Sequence, residues 1–287
     1  MIREREANRR DAEDAERNEL FYLYGIVLPD SAAAVLLRER RLPGIGADAP
    51  LFPLEAAGLV AAVSRVPASV FDEEPLNALA ADLERLTPYA VRHEAAVRAL
   101  SGSAVIPMAF GTVYRSSEGV AAVLQEQAAA FRNLLAQFQG RQEWGVKVIA
   151  DTGRLQQTVE RENEALQALA AAAAAASEGR AYLIGRKRDR LLADAAAQLA
   201  ADSAHDILHH LAKLSASAVE DQRGPSQPGA EHLAGKAAFL VDDAALDAFH
   251  RAVEALQRRH QPRGFRIEVS GPWAPYSFVR QQDGSDV

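Results

Sequence analysis

The pattern of hydrophobic and polar positions is clearest between residues 105 and 151, where two short apolar runs flank one long amphipathic segment. The apolar residues of this segment share one helical face: Val120, Val123, Leu124, Phe131, Leu134, Leu135 and Phe138. Ser116 and Ser117 precede the stripe and can cap a helix, whereas Gly140 follows it and suits a helix end. The pattern predicts an edge or bent strand around Pro107, one continuous helix, and a strand from Val146 to Ile149.

The region upstream, residues 20–140 with this strand and helix, predicts an α+β domain. Phe21 to Leu28 is aromatic and β-branched, as expected of a central strand, and Leu51 to Pro67 has the pattern of a hairpin. Ser31 suits the cap of a short helix between them. A helical stripe follows, formed by Leu76, Leu79, Leu83 and Leu86, and Thr87-Pro88 suits the start of a further helix.

Residues 141–280 predict a second α+β domain. Its first strand is followed by an alanine-rich helix to about Ser177 and by a long helical stripe from Lys187 to Val219. Strands at Ala237–Val241 and Phe265–Val269 flank a helix capped by Asp242. This order resembles a modified ferredoxin-like fold. The predicted fold class is thus α+β, with two domains that each pack helices on a small, mainly antiparallel sheet.

Composition narrows the possible functions of this 287-residue chain. Residues 1–19 form a charged extension before the domains, and residues 281–287 form a short tail. The net charge of −7 argues against a broad surface for nucleic acid or anionic membrane. The absence of cysteine excludes disulfides and thiolate chemistry. No apolar run reaches the ~20 residues that span a bilayer, so we expect a soluble, cytoplasmic protein.

Three motifs resemble sites of known chemistry, and none predicts an active site. The GxGxxA spacing at Gly44–Ala49 follows a charged helix and precedes Pro50, so it lacks the context of a dinucleotide site. His205 and His209 share a helical face with Asp202, opposite an apolar stripe, and a solvated face is favoured over a metal site. His93 lies on an apolar face and is interpreted as a buried, hydrogen-bonded histidine rather than a general base. We expect no metal and no cofactor.

Two further segments suggest binding rather than catalysis. Arg186, Lys187, Arg188 and Arg190 form a basic cluster that faces either solvent or an acidic protein partner. RNA binding would need more aromatic residues among the cations. The run GPWAPYSFV (residues 271–279) predicts a stiff extended segment. Its aromatic residues are either buried against the domain core or exposed at an edge that binds a partner, and burial is favoured.

A family resemblance covers nearly the whole chain. It is carried by IPMAFGTVYRS with EWGVKV downstream, by FYLYGIV near the start, and by AYLIGRKRD, FLVDDAALDAFH and GPWAPYSFV in the second half. Together, from Leu20 to Val279, these motifs resemble the gas vesicle protein F/L family. One departure is Ala109, where a basic residue is expected. The resemblance implies a non-enzymatic accessory protein that binds the hydrophobic shell protein and other accessory proteins during nucleation or growth of the vesicle, without a cofactor, nucleic acid or membrane, and that associates with gas vesicles.

Given that resemblance, partner-binding residues are expected on the Pro107 strand, the basic cluster and the aromatic tail. They are Ile106, Met108, Phe110, Tyr114, Arg115, Arg186, Arg188, Trp273, Tyr276 and Phe278. The alternative is a ferredoxin-like small-ligand-binding regulator, or an enzyme of unknown reaction, centred on His93, on the face with Asp202, His205 and His209, or on the basic cluster.

Overall fold

The computed structural model describes residues 18–46, 49–221 and 229–280. The charged extension predicted for residues 1–19 therefore lies outside the described residues apart from its last two, and the tail 281–287 lies outside entirely. Ala47 and Asp48, in the loop with the GxGxxA spacing, also lie outside the described residues.

The described chain forms two compact units. One contains residues 18–141 and 273–280, and the other contains residues 142–272. The division near residue 141 lies close to the predicted boundary, but residues from Trp273 onward group with the first unit, whereas the sequence pattern placed them in the second. The difference has a packing cause, because Ala274 and Tyr276 pack in the hydrophobic core of the first unit.

The sheet of the first unit is built around one long, nearly fully buried strand. Its strands are β1 (Glu19–Val27), β2 (Phe52–Ala56), β3 (Leu59–Pro67), β4 (Ile106–Pro107) and β5 (Val113–Tyr114). The order is β2-β3-β1-β4, and β5 also pairs with β1, with antiparallel pairing throughout. The prediction of a central first strand and of a hairpin from Leu51 to Pro67 is confirmed. Pro107 lies in the short edge strand, where a missing N–H is tolerated.

Helices cover this sheet. They are α1 (Ala32–Glu39), α2 (Ala68–Phe71), α3 (Glu73–Ala80), α4 (Leu83–Leu100), α5 (Ser117–Glu126) and α6 (Ala128–Phe138). The caps predicted at Ser31 and Ser116 are confirmed, because their side chains accept hydrogen bonds from the backbone N–H groups of Ala34 and Gly119. The helix predicted as continuous up to Gly140 is divided at Gln127.

The break between α3 and α4 differs from the predicted one. Asp82, not Thr87, caps the second helix, since the Asp82 carboxylate accepts the Arg85 N–H. The Thr87 hydroxyl donates to the Leu83 carbonyl instead, and Pro88 lies inside α4. Because the helix restarts at Leu83, the helical phase of α3 does not continue through it, and Leu83 is 75% exposed rather than part of the predicted apolar stripe.

The second unit has a ferredoxin-like succession. Its strands are β6 (Arg141–Asp151), β7 (Ser217–Glu220), β8 (Glu231–Asp242) and β9 (Phe265–Trp273), in the order β7-β8-β6-β9. Its helices are α7 (Thr152–Glu162), α8 (Glu164–Ala174), α9 (Glu178–Ala212) and α10 (Leu246–His260). Three consecutive helices replace the first helix of a simple β-α-β-β-α-β unit, so the predicted modified ferredoxin-like fold is confirmed.

Several boundaries in this unit were not predicted. The alanine-rich helix divides at Asn163, whose side chain accepts the N–H groups of Ala165 and Leu166. The helix expected to reach Val219 ends at Ala212, and β7 follows. Asp242 makes no side-chain cap and precedes a short 3-10 turn.

The final described element, α11 (Tyr276–Arg280), is a short helix of the first unit. The stretch predicted as extended from residue 271 to 279 is therefore extended only at its start, where it completes β9. Phe278 on this helix is buried.

Candidate partner-binding surfaces

The structure divides the ten predicted partner-binding residues between the units. Eight lie in the first unit, and Arg186 and Arg188 lie on α9 of the second. Two of the eight are core residues. Ile106 pairs with Ile26 in the sheet and is fully buried, and Phe278 is 2% exposed. Neither side chain is presented to a partner in this structure, because β1 and the packing of α11 enclose them. Partner binding through these two residues stays a prediction, and their burial means that it would require a local rearrangement.

A buried polar cluster in the first unit centres on His93 of α4. Its Nδ1 lies 2.9 Å from the Tyr22 hydroxyl, and its Nε2 lies 3.1 Å from the Tyr276 hydroxyl. The tautomer of the ring decides which hydroxyl donates. The Tyr22 hydroxyl also accepts the Gly111 N–H at 2.9 Å. The prediction of a buried, hydrogen-bonded histidine is confirmed, and Tyr276 contributes to this cluster rather than to an open surface.

Burial fixes the protonation of this cluster. Desolvation lowers the pKa of His93 to about 4, although the Met108 carbonyl acts in the opposite direction. Desolvation also raises the pKa of Tyr22 well above its usual value. The ring of His93 is therefore neutral near pH 7, and both of its nitrogens contact tyrosine hydroxyls. This arrangement links three distant parts of the chain and has the properties of a structural cluster.

The remaining residues of the Pro107 region are partly buried or paired. The Met108 N–H donates to the Tyr24 carbonyl, and Phe110 packs edge-on against Tyr22 and His93. Tyr114 pairs with Phe21 across the sheet. Arg115 is exposed and forms an ion pair with Asp72 at 2.8 Å. Arg115 is thus the member of this group that projects most into solvent.

A partly apolar surface runs along the outer side of α4; we call Leu83, Val91, Arg98 and Trp273 the α4 surface. Val91 is 62% exposed, and Leu83 is more exposed still. The Arg98 guanidinium stacks 5.8 Å from the centre of the Trp273 ring, which is 38% exposed. Trp273 was predicted as a partner-binding residue, but Leu83 and Val91 were missed. The signal was the Asp82 cap, which resets the helical phase.

A second exposed surface lies near the start of α9; we call Tyr182, Leu183, Arg186, Lys187 and Arg190 the α9 surface. Tyr182 is 67% exposed and Leu183 is 68% exposed. Arg186, Lys187 and Arg190 are exposed as well. Arg188, predicted to belong with them, faces the other way and forms a close ion pair with Glu160 of α7. Arg188 therefore connects two helices of the unit.

The histidine pair farther along α9 lies on an exposed face, as predicted. The rings of His205 and His209 are nearly parallel, with centroids 5.7 Å apart, and the Asp202 carboxylate accepts a hydrogen bond from Gln198. Within residues 18–46, 49–221 and 229–280, no three His, Cys, Asp or Glu side chains are grouped closely enough to hold a metal ion. Among the helices the structure describes, none combines the length and apolar composition that crossing a bilayer requires.

Comparison with known proteins places this two-unit α+β chain among the gas vesicle proteins. The family model described as "Gas vesicle synthesis protein GvpL/GvpF" matches residues 20–280, and the chain belongs to this family. The resemblance inferred from the sequence is thereby confirmed.

Individual relatives and solved structures agree with this assignment. Gas vesicle protein L of Streptomyces sp. (strain CB03234) is 36% identical over 82% of this chain and 85% of its own length. Gas vesicle protein L1 of Halobacterium salinarum is 25% identical over 90% of this chain and 89% of its own. The crystal structure of the gas vesicle protein GvpF from Anabaena sp. PCC7120 has a TM-score of 0.65 at 21% identity, and the match covers 91% of this chain and 98% of that one.

Proposed function

We propose that this chain is a non-enzymatic accessory protein of gas vesicle assembly that binds the hydrophobic shell protein and other accessory proteins during nucleation or growth of the vesicle. The observation that carries the proposal is the family match over residues 20–280. The proposed place of action is the cytoplasm, in association with gas vesicles, and no cofactor or catalytic step is needed.

The physical requirement for such a protein is clear. A shell subunit with a large exposed apolar face aggregates unless another protein covers that face. The α4 surface offers a matching contact, because Leu83 and Val91 present apolar side chains and Trp273 presents a large, partly exposed ring. Aromatic residues of this kind contribute strongly to protein interfaces. The proposed contact with the shell protein therefore centres on Val91 and Trp273.

The alternative function, a ligand-binding regulator or enzyme, has less support in the described residues. His93, the foremost candidate for general-base chemistry, is buried, and both ring nitrogens contact tyrosine hydroxyls. A general base needs reach to a substrate proton. The His205 and His209 rings stack on an exposed helix instead of converging on a common point.

Co-expression with a gas vesicle shell protein tests the proposal. The chain is affinity-captured at moderate salt, and shell protein in the eluate is quantified. We expect shell protein to co-purify with this chain but not with an unrelated acidic protein. Recovery of this chain alone, with all shell protein in the pellet, would contradict the proposal.

Surface variants locate the contact. Val91→Ser combined with Trp273→Ala is expected to lower shell-protein recovery roughly tenfold, as expected when interface anchors are truncated. The matched control is Val35→Ser, which also removes an exposed apolar side chain of the first unit, from α1. Equal recovery with both variants would show that the shell protein contacts another part of the molecule.

A further inference from the structure

The α9 surface combines two large apolar side chains with three cations on one face of a helix. Successive residues of an α-helix are rotated by about 100°, so Tyr182, Leu183, Arg186, Lys187 and Arg190 fall within an arc of about 140°. The opposite side of this helix packs within the unit, where Arg188 contacts Glu160. These five residues therefore form one continuous face of the helix, on the side opposite the contact between Arg188 and Glu160.

Two adjacent large apolar side chains on this face are mostly exposed to solvent. Tyr182 and Leu183 are adjacent, and each leaves about two-thirds of its surface in solvent. Single exposed apolar residues are common on proteins, but neighbouring large ones beside charged groups are typical of interaction sites.

The three cations have no ion-pair partner among the residues in the described part of the chain. Among the residues that the structure describes, no carboxylate lies within ion-pair distance of Arg186, Lys187 or Arg190, whereas Arg263 and Arg266 elsewhere in the unit are paired. Asp189 is the sole acidic residue from position 182 to position 190. A local excess of positive charge thus stands on a chain whose net charge is −7.

We infer that the α9 surface binds an acidic segment of another protein that also presents at least one large apolar side chain. The carboxylates of that segment complement Arg186, Lys187 and Arg190, and its apolar residue packs on Tyr182 and Leu183. The inference rests on the proposed function and adds the chemistry of the partner. It assigns this partner to the second unit, whereas the proposed contact with the shell protein belongs to the first.

Charge and composition favour a protein partner over nucleic acid. Proteins that bind single-stranded nucleic acid interleave several aromatic residues with cations, and the α9 surface holds Tyr182 alone. An acidic protein segment satisfies both halves of the surface, because electrostatic complementarity steers the encounter and apolar contact slows dissociation.

Site-specific cross-linking in the full-length protein tests the inference. Tyr182 is replaced by the photoreactive amino acid p-benzoylphenylalanine in cells that form gas vesicles, and the cross-linked peptide is sequenced by mass spectrometry. We expect attachment to a segment of another gas vesicle protein that contains several Asp or Glu residues and a large apolar residue. Attachment to a second copy of this chain, to nucleic acid or to lipid would overturn the inference, as would a yield no higher than with the probe at Arg258.

Charge reversal provides the matched comparison. Arg186→Glu with Lys187→Glu and Arg190→Glu is expected to lower the cross-linking yield roughly tenfold, since each exposed charge pair contributes modestly. The control reverses Lys147, Arg251 and Arg258, three exposed cations of the same unit, and gives the same change in net charge. An equal loss in both variants would overturn the inference, because it would reflect total charge alone.

A milder variant guards against misfolding of the first. Arg186→Gln with Arg190→Gln removes charge without repulsion, and circular dichroism checks that its helix content equals that of the wild type. An unchanged yield in this folded variant and in the charge-reversal variant would overturn the inference. Failure of the proposed function appears differently, as an absence of shell protein captured by the wild-type chain.

Discussion

His93 and Tyr276 are hydrogen-bonded although 183 residues separate them in the chain, with 3.1 Å between the histidine Nε2 and the tyrosine hydroxyl. The contact joins α4 to the short helix α11, which follows the whole second unit in sequence. Tyr22 of the central strand completes the cluster from the other ring nitrogen. The first unit is therefore closed by a segment made long after the rest of it, and this closure has measurable consequences.

Removing the Tyr276 hydroxyl should weaken the closure. In Tyr276→Phe the His93 Nε2 loses its contact with that hydroxyl, and we expect the free energy of unfolding to fall by about 1–2 kcal/mol, the usual cost of a lost buried hydrogen bond. Urea denaturation followed by circular dichroism measures the change. Tyr182→Phe is the control, since Tyr182 is mostly exposed and should change stability by less than about 0.5 kcal/mol. Similar values for the two variants would show that the hydroxyl contact does not stabilise the unit.

Acidification should destabilise the protein through His93. Burial lowers the folded-state pKa of His93 to about 4 from an ordinary value of 6.5. Between these two pH values the unfolded chain binds a proton that the folded protein does not, so stability present above pH 6.5 is lost as the pH falls towards 4. The loss amounts to about 3 kcal/mol at about 1.4 kcal/mol for each pKa unit.

The measurement compares unfolding free energies of the wild type and His93→Gln between pH 7 and pH 4. Burial also lowers the pKa of His260, but that group is present in both proteins and cancels in the difference. We expect the wild type to lose its advantage over the variant as the pH falls. Two parallel pH profiles would contradict a neutral, buried His93 in the folded state.

The two ends of the aromatic tail should respond differently to truncation. Phe278 is buried, so Phe278→Ala should cost about 3–5 kcal/mol and reduce the amount of folded protein. Trp273 is 38% exposed and stacks on Arg98, so Trp273→Ala should cost clearly less than Phe278→Ala. Thermal unfolding of both variants measures the two losses of stability. Equal losses would contradict the burial of Phe278 in the core of the first unit.

Alanine substitutions at two glycines with positive φ separate the cost of backbone strain from the cost of a steric clash. Gly140, at φ 68°, has open space where a Cβ would stand, so Gly140→Ala should cost about 1–2 kcal/mol from the left-handed conformation alone. Gly264, at φ 99°, would place a Cβ only 2.7 Å from the Cβ of Arg154. We expect Gly264→Ala to be clearly more destabilising than Gly140→Ala in the same denaturation assay. Equal costs would mean that the turn after α10 relaxes freely.

Local signals in the sequence identified many elements of the fold. Ser31 and Ser116 are followed directly by apolar stripes, and both are caps in the structure. The glycine at 140 ends its helix with a positive φ, as predicted. These predictions succeed because a cap or a left-handed glycine acts within one helical turn, where the residues concerned are neighbours in sequence.

Features that depend on contacts between distant residues were harder to predict from the sequence. The break at Gln127 carries no glycine or proline. The cap at Asp82 is a different case, because it is a local signal three residues from Arg85 that the Thr87-Pro88 pair obscured. The assignment of residues 273–280 to the first unit depends on burial of Ala274 and Phe278. No periodicity within GPWAPYSFV specifies which core receives it, because Trp, Tyr and Phe suit any core of sufficient size.

The candidate surfaces show the same limit. Trp273 was predicted from its aromatic character and is partly exposed, whereas Phe278, chosen on the same basis, is buried. Arg186 and Arg188 are two positions apart, so they point to opposite sides of α9, and the sequence alone did not determine which side faces α7. Whether the exposed members bind partners stays a prediction that the cross-linking and capture experiments address.

The division of the first unit between residues 18–141 and 273–280 has a consequence for the order of synthesis. A ribosome translates every residue of the second unit before it supplies Ala274 and Phe278. The nascent first unit consequently emerges from the exit tunnel without its closing helix, and its aromatic cluster lacks Tyr276 while β6 to β9 are still being made. Translation therefore completes the sequence of the second unit before the first unit can obtain its full core.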